Sequence, residues 1–461
     1  MRIIYVCLLL LFMQLALAES VEVDDYTIKA DGKVYSVPNT ESNISVLLLQ
    51  SLEGAEIHYK SHASTTTPHE WLRYHFNTGD SEPVACQQEG STSWIEPENG
   101  DYGYYVKTAT SQHYIWIIDY NQYSFYFKTI SVDDVPDMID DGDDTDTNKC
   151  EYVTLKLDMN VPSLTYYLST GGGKTVRRGF CITYNTQEWS DEKKSYLLKE
   201  TKEVVESWDE ERMYPAPLTD THFTLEMDEI ARYFGAEDLK TEEEYRAIAV
   251  GAKIIAEQIE RDSDKNTTGG EGDSFGGSAP VEMEFTAYGS DAVNGYRWKV
   301  HKKEDYPGMG IARGDKSDFD YTFKYWGDYY VELEVVNADV SCTYKPELIS
   351  VNITESFLKI PNVFSPGTTP GKNDVFKVSY QSLIKFKGVI FSRWGVKVFE
   401  WNSPDEGWDG KYNGRYVPSG VYYYIIEAEG SEGVKYHKKG DINLLRPKDI
   451  NDEIYEDSEL Q

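Results

Sequence analysis

The sequence predicts an all-β protein built as a tandem of β-sandwich domains, and three observations predict it. Tyrosine is over-represented, with 36 Tyr, 17 Phe and 10 Trp against 8 Met, a balance that suits half-buried strands better than helices. Apolar and polar residues alternate at period two in short runs separated by polar turns, as in Tyr104/Val106, Tyr114/Trp116/Ile118 and Phe125/Phe127, which is the spacing of antiparallel strands. Two unpatterned stretches interrupt the runs: an acidic one at 133–149 with eight aspartates and a Gly/Ser-rich one at 263–278. Segments of that composition bury too little surface to fold alone and read as linkers.

The chain has 461 residues, enough for about three domains at roughly 150 residues each, or more if they are small β modules. Its 79 Asp+Glu against 45 Lys+Arg give a formal charge of -34. An acidic surface with no basic stripe repels phosphate, which excludes nucleic acid as the expected partner.

Residues 1–18 read as a secretory signal peptide: Arg2 is the positive end, 3–12 and 15–17 the apolar stretch, and Ala16-Leu17-Ala18 the small-x-small cleavage pattern. Val6 stands where lipid attachment at Cys7 would need a small residue. No later run approaches the ~18 apolar residues of a membrane span, so the expectation is an exported chain with no transmembrane segment after signal removal.

The first block, 19–132, contains the alternating runs above as an antiparallel meander, with earlier strands near 44–49 and 56–60. The second block, 150–262, has short strands near 152–157, 164–168, 180–184, 196–200 and 223–227. Its end leaves two readings. Thr241 with Glu244 fits a capping box before a helix, whereas 246–256 fits a buried final strand, the reading that the β context favours. Both blocks read as immunoglobulin-like sandwiches.

Export permits disulfides, and Cys86, Cys150, Cys181 and Cys342 remain after the signal. None forms a C-x-x-C pair, which argues against zinc or redox chemistry. Cys150 and Cys181 fall in one block and are the expected bridge; the alternative is four small buried hydrophobes.

In the third block, 279–355, Tyr329, Val331, Leu333 and Val335 share one face of a strand that Gly327 opens and Asn337 ends, and Tyr296, Trp298 and Val300 form another. The G-x-Y-x-V-x-L-x-V-x-N run resembles the PKD-type sandwich. In the fourth block, 356–446, Pro361-Asn362-Val363-Phe364, Asn373-Asp374, Arg393-Trp394-Gly395, Trp408-Asp409-Gly410, Pro418-Ser-Gly420-Val-Tyr422 and a closing run to Arg446 occur in that order. This block resembles the gliding-motility-associated C-terminal domain, the type B sorting signal of the type IX secretion system. The resemblance implies that the type IX machinery is a partner and that the protein is delivered to the cell surface or outside the cell. Gly395, Gly410 and Gly420 suit tight turns, and Trp394 and Trp408 are candidates for the small core. An acidic tail follows at 447–461.

The motifs that could carry chemistry are incomplete. Gly272-Asp-Ser274-Phe-Gly276 satisfies G-x-S-x-G but lies in the Gly-rich linker, without the strand and helix of a nucleophile elbow. His69-Glu70 starts a zinc motif that Arg73 breaks, and His58, His62 and His75 stand near it. Asp144-x-Asp146-x-Asn148 starts a calcium loop, but Lys149 and Leu155 occupy the positions of the required Gly and Glu. Arg313-Gly314-Asp315 reads as a surface loop. The expectation is therefore a non-enzymatic exported protein with no catalytic residue, metal or cofactor. Its rivals are a surface protein that binds a glycan or matrix protein through its first two domains, and a hydrolase in the N-terminal half. Coplanar exposed rings would favour the first rival, and a pocket gathering His and carboxylates the second.

Overall fold

The computed structural model describes residues 19–38, 40–41, 43–62, 67–108, 112–123, 125–133, 148–205, 211–260, 275–367 and 373–446. The signal peptide, the acidic tail, Ser274 and most of both expected linkers lie outside the described residues. The fold is all-β. It divides into two compact units, one from Met1–Asp144, Tyr152–Thr186 and Lys199–Arg246, the other from Thr145–Glu151, Gln187–Leu198 and Ala247–Gln461.

In the first unit, a five-stranded sheet (Glu19–Val23, Tyr26–Ala30, Glu56–Lys60, Thr92–Ile95, Gln87–Glu89) faces a six-stranded one with Ile44–Leu49 and Tyr114–Asp119 at its centre. Leu47, Leu49, Ile115 and Ile117 fill the core between them. Those two central strands run parallel, not as members of one antiparallel meander. They are also buried on their other face, where Val46, Leu48, Trp116 and Ile118 share a cluster with Leu164, Tyr166, Val176 and Ile230 of the second block. The strand Tyr126–Asp133, expected to close the first block, instead pairs with Tyr152–Asn160, and Phe125, Phe127 and Ile130 join the second block's core. The acidic stretch thus connects two paired strands. Composition identified a segment that cannot fold alone, but it carried no information about long-range pairing across it.

Arg178 sits among these clusters with its guanidinium on the Asp228 carboxylate (Nε–Oδ2 2.5 Å, Nη2–Oδ1 3.0 Å). The side chains of Arg178 and Asp228 are only 6% and 5% exposed. The Arg178 cation lies 5.3 Å from the ring centre of Phe125 and 5.0 Å from that of Phe180, and Asp228 also caps the short helix Glu229–Tyr233 through the Ala231 N–H.

In the second unit, Ala252–Gln258, Val281–Gly289 and Asp318–Phe323 form one sheet. Facing it is a second sheet ordered Phe275–Gly277, Ile349–Ile353, Gly327–Val336, Gly295–Lys302, Ala312–Gly314. Tyr329, Val331, Leu333, Val335 and Trp298 fill the core between them, as their alternation predicted. The ambiguous 241–260 stretch holds a strand at Ala252–Gln258, but it pairs with Val281–Gly289 and so belongs to the third block's sheet. Here too the expected linker joins paired strands.

The expected Cys150–Cys181 bridge is replaced by Cys150–Cys342, with Cα atoms 5.5 Å apart, and Cys86 and Cys181 are free. Closeness in sequence misled. Cys150 stands just before the Tyr152–Asn160 strand, whereas Cys181 begins a strand of a different sheet.

The C-terminal block is a five-stranded sheet ordered Val363–Phe364, Lys435–Leu444, Gly420–Gly430, Leu383–Phe391, Lys397–Trp401. Buried Ser278 and Ser382 join it to the third block. The Ser382 N–H donates to Ser278 Oγ (2.7 Å), the Ala279 N–H to Ser382 Oγ (3.0 Å), and the Ser431 N–H to the Ser382 carbonyl (2.8 Å). Thr354 donates through both its N–H (2.9 Å) and its hydroxyl (3.0 Å) to the Gly277 carbonyl. Every one of these bonds links the two blocks or fixes a residue that does.

Breaking one side of a buried ion pair strands the other charge. Asp228→Ala is expected to lower the stability of the first unit by about 3–5 kcal/mol, measured by denaturant unfolding of the full chain. A change under about 0.5 kcal/mol, the range of an ordinary surface substitution, would show that Arg178 is not held there.

Candidate functional site

The sorting-domain motif divides into residues that build the domain's core and residues that do not. Phe364 pairs beside Leu444 at the sheet edge, and its ring lies 5.3 Å from Trp408, which in turn meets Tyr422 edge-on at 5.1 Å. All three are buried, Trp408 completely. The Trp408 indole N–H donates to the Lys411 carbonyl (2.8 Å), and its backbone exchanges two hydrogen bonds with Phe376 (2.8 and 3.1 Å). The Tyr422 hydroxyl donates to the Pro418 carbonyl (2.9 Å), which satisfies a polar tip in an apolar setting.

The remaining motif positions shape turns. Asp409 accepts the Lys411 N–H (3.0 Å), and Asp374 accepts the Gly367 N–H (3.2 Å). Asn373 has φ +56°, and its carbonyl accepts the Ser365 N–H (2.8 Å). Gly410 has φ +80°, and a Cβ there would come within 2.7 Å of Pro366, so both conformation and space call for glycine. The Asn362 carbonyl accepts the Asn443 N–H (2.9 Å), and the Arg446 guanidinium lies 3.9 Å over the Tyr416 ring.

Trp394 is the correction. It was expected in the core, but it is 52% exposed, at the tip between Leu383–Phe391 and Lys397–Trp401 with the Arg393 guanidinium 5.1 Å over its ring. A tight turn leaves the tip residue no inner face on which to pack. The tryptophan that fills the core from this hairpin is Trp401, whose ring closes over Gly388, where a Cβ would lie 2.5 Å from the indole. Phe399 and Trp401, two residues apart with ring centres 5.3 Å from each other, carry the period-two signal that the sequence reading passed over.

A cleft of about 900 Å³ opens in the second unit. The turn carrying Tyr325 and Trp326 lines it on one side, and Glu429, Ser431 and Glu432 line it on the other. Tyr325 and Trp326 are 60% and 48% exposed. Burial works to raise the Glu432 carboxyl, but hydrogen bonds from the hydroxyl and N–H of Ser356 outweigh it and hold the group below its ordinary value. This cleft was not anticipated, because its walls come from turns about a hundred residues apart.

The histidines of the first block do not converge. His58 pairs with Glu56 (2.6 Å), His62 with Asp25 (2.9 Å), and His69 Nδ1 with Ser93 Oγ (2.7 Å). The His75 ring lies tilted against Tyr102, with ring centres 5.1 Å apart. Glu70 and Arg73, from the broken zinc motif, face Lys107 and Glu82 instead. Among the described residues no group of three or more His, Cys, Asp or Glu is placed to hold a metal ion. His113 bridges Asp24 (Nδ1–Oδ2 2.6 Å) and Ser45 (Nε2–Oγ 2.9 Å), the connectivity of a hydrolase triad. Burial lowers the imidazole pKa, with Asp24 and Asp25 opposing. Ser45 lies within the Ile44–Leu49 strand rather than on a sharp turn, and Asp24 is 60% exposed. The trio therefore fastens the ends of three strands, without the buried, oriented carboxylate that a triad needs.

Residues 143–242 match the fibronectin type III domain family Fn3_FA, and residues 358–444 match the CHU_C type IX secretion signal domain family. No curated protein matches the chain. Similar solved structures include a tetra-tandem repeat in the extending region of a large adhesion protein (9% identity, covering 87% of this chain and 99% of that one, TM-score 0.23). A Ca2+-stabilized adhesin that helps an Antarctic bacterium reach out and bind ice is also similar (10% identity, 90% and 98% covered, TM-score 0.19). So are the fibronectin(III)-like modules of Clostridium thermocellum CbhA (11% identity, 42% and 95% covered, TM-score 0.17). The chain is a multidomain protein with a C-terminal type IX sorting domain, exported to the cell surface or beyond the cell.

Replacing the two tryptophans separates core from surface. Trp408→Ala is expected to cost about 3–5 kcal/mol and Trp394→Ala less than about 0.5 kcal/mol, both read by thermal unfolding. Equal losses would contradict the placement of Trp394.

Proposed function

We propose that the chain is a non-enzymatic display protein, whose β-sandwich blocks act as spacer and interaction modules and whose fourth block addresses it to the type IX export machinery. One observation carries the reading: the segment matched as a secretion signal domain is also a closed structural module with its own core around Phe364, Trp408 and Tyr422. A signal built as a folded domain presents a surface to be read, and the blocks upstream have separate cores that can be displayed. The separate engagement of His58, His62 and His69 supports the non-enzymatic part of the reading.

In a host with the type IX system, the chain lacking residues 356–446 is expected to accumulate in the periplasm with its upstream blocks folded, while the full chain reaches the surface or medium. Cell fractionation with limited proteolysis reads both outcomes. Normal delivery of the shortened chain would overturn the address.

The exposed Tyr325–Trp326 pair in the cleft supports a second, compatible reading, a glycan ligand. Aromatic faces stack on the apolar faces of sugar rings, and Lys302, Lys324 and Glu429 at the cleft supply hydrogen-bonding groups for hydroxyls. This moves the expected ligand site from the first two blocks to the second unit. A glycan array probed with the full chain is expected to give hits that Trp326→Ala weakens about tenfold, the scale of losing one anchoring aromatic. Hits unaffected by that substitution would place the site elsewhere.

A further inference from the structure

The strand Gly420–Gly430 changes character halfway. From Glu427 onward it alternates, but Val421-Tyr422-Tyr423-Tyr424-Ile425-Ile426 is apolar on both faces. Tyr422, Tyr424 and Ile426 point into the domain's core. Val421, Tyr423 and Ile425 point the other way and are 41%, 48% and 48% exposed. Phe391 is paired beside Tyr423 and Val389 beside Ile425, and both are half-buried on the same outer face. Trp394, at the tip just beyond Phe391, is a further exposed ring of the same hairpin, 52% exposed. A run apolar on both faces is the signature of a strand covered on both faces, and an exposed apolar patch of this kind marks an interaction site.

The border of the patch carries charge of both signs. Lys397 stands beside Phe391 and Lys439 beside Ile425, while Glu400 stands beside Val389 and Asp441 beside Tyr423. Lys387 and Lys397 share the carboxylate of Glu400, and Glu427 stands across from Lys387, so the positive excess belongs to the domain as a whole. Residues 358–444 hold 12 Lys+Arg against 9 Asp+Glu, while the rest of the chain holds 33 against 70. The sorting domain is a weakly basic module in a strongly acidic protein. A partner that docks through an apolar patch with an acidic rim would select this domain and be repelled by the others.

We propose that the outer face formed by Val389, Phe391, Trp394, Val421, Tyr423 and Ile425 is the surface by which a type IX export component, itself apolar and rimmed with acidic groups, captures this domain. The proposal rests on the reading of the fourth block as an export address, and it explains why an Arg-Trp-Gly sequence that contributes nothing to the core sits on a rigid tip. The buried Ser392 hydroxyl accepts the Trp394 and Val396 N–H groups (3.2 and 3.3 Å), so the ring is presented on a pre-organised turn, which limits the ordering entropy lost on binding.

The test uses the full chain in a host with the type IX system, with Trp394→Ala, Tyr423→Ser/Ile425→Thr and Lys439→Glu as variants. Each variant is expected to keep the wild-type unfolding temperature, while its surface-plus-medium fraction falls about tenfold, the effect of losing an interface anchor. Lys439→Glu leaves the apolar packing untouched, so it answers the question even if the double variant fails to fold. Wild-type export of folded Trp394→Ala and Lys439→Glu chains would overturn the docking face, and if the chain lacking 356–446 is still retained, the address itself stands. A purified wild-type dimer that Tyr423→Ser/Ile425→Thr turns into a monomer would assign the face to a second copy. Carbodiimide cross-links from Lys397 or Lys439 to residues 447–461 would assign it to the chain's own acidic segment. Either result would overturn the proposal.

Discussion

A strand that is apolar on both sides has to be covered on both sides, and that requirement decides which parts of this chain belong together. Ile44–Leu49 and Tyr114–Asp119 are the clearest cases. Leu47, Leu49, Ile115 and Ile117 face one core, while Val46, Leu48, Trp116 and Ile118 need a second cover, supplied by Leu164, Tyr166, Val176 and Ile230. The first two blocks cannot be independent beads, because the second completes the burial of the first. The Arg178–Asp228 pair sits where their clusters meet, and burying that charge is tolerable only because the carboxylate, two rings and a helix cap are all in place.

In the second unit the joining principle is polar. Ser278, Thr354, Ser382 and Ser431 exchange hydrogen bonds across the junction of the third and fourth blocks. Most involve a backbone group that would otherwise be buried without a partner, and such groups are costly to leave unmade. Small hydroxyls allow the two backbones to approach closely. The sorting domain is therefore held in a defined orientation on the third block rather than tethered loosely, and the cleft beside Trp326 exists because of that orientation.

The sorting domain uses the same burial rule for two ends. Phe364, Trp408 and Tyr422 close its core, and the turns around Asn373, Asp409 and Gly410 fix the strands that carry them. Its central strand still presents Val421, Tyr423 and Ile425 outward. The core explains why the module folds, and the uncovered face is what a folded export signal would offer to be read.

Much of this was legible in the sequence. Period-two alternation located Gly327–Val336 and its inward face, Tyr114–Asp119 and Glu56–Lys60, because side-chain direction in a strand is a local property of the backbone. The sorting-domain motif was legible in order and in part of its role: Trp408 and Gly410 do what their residue types suggest. What the sequence left open were the relations between distant segments. Both expected linkers join paired strands, Cys150 bonds to Cys342 rather than Cys181, Trp394 lies on a turn while Trp401 fills the core, and the cleft is assembled from separate turns. Local pattern determines which residues form strands and which side each faces. Pairing partners, disulfide choice and the identity of the covered face depend on which surfaces meet, and only the tertiary structure decides that.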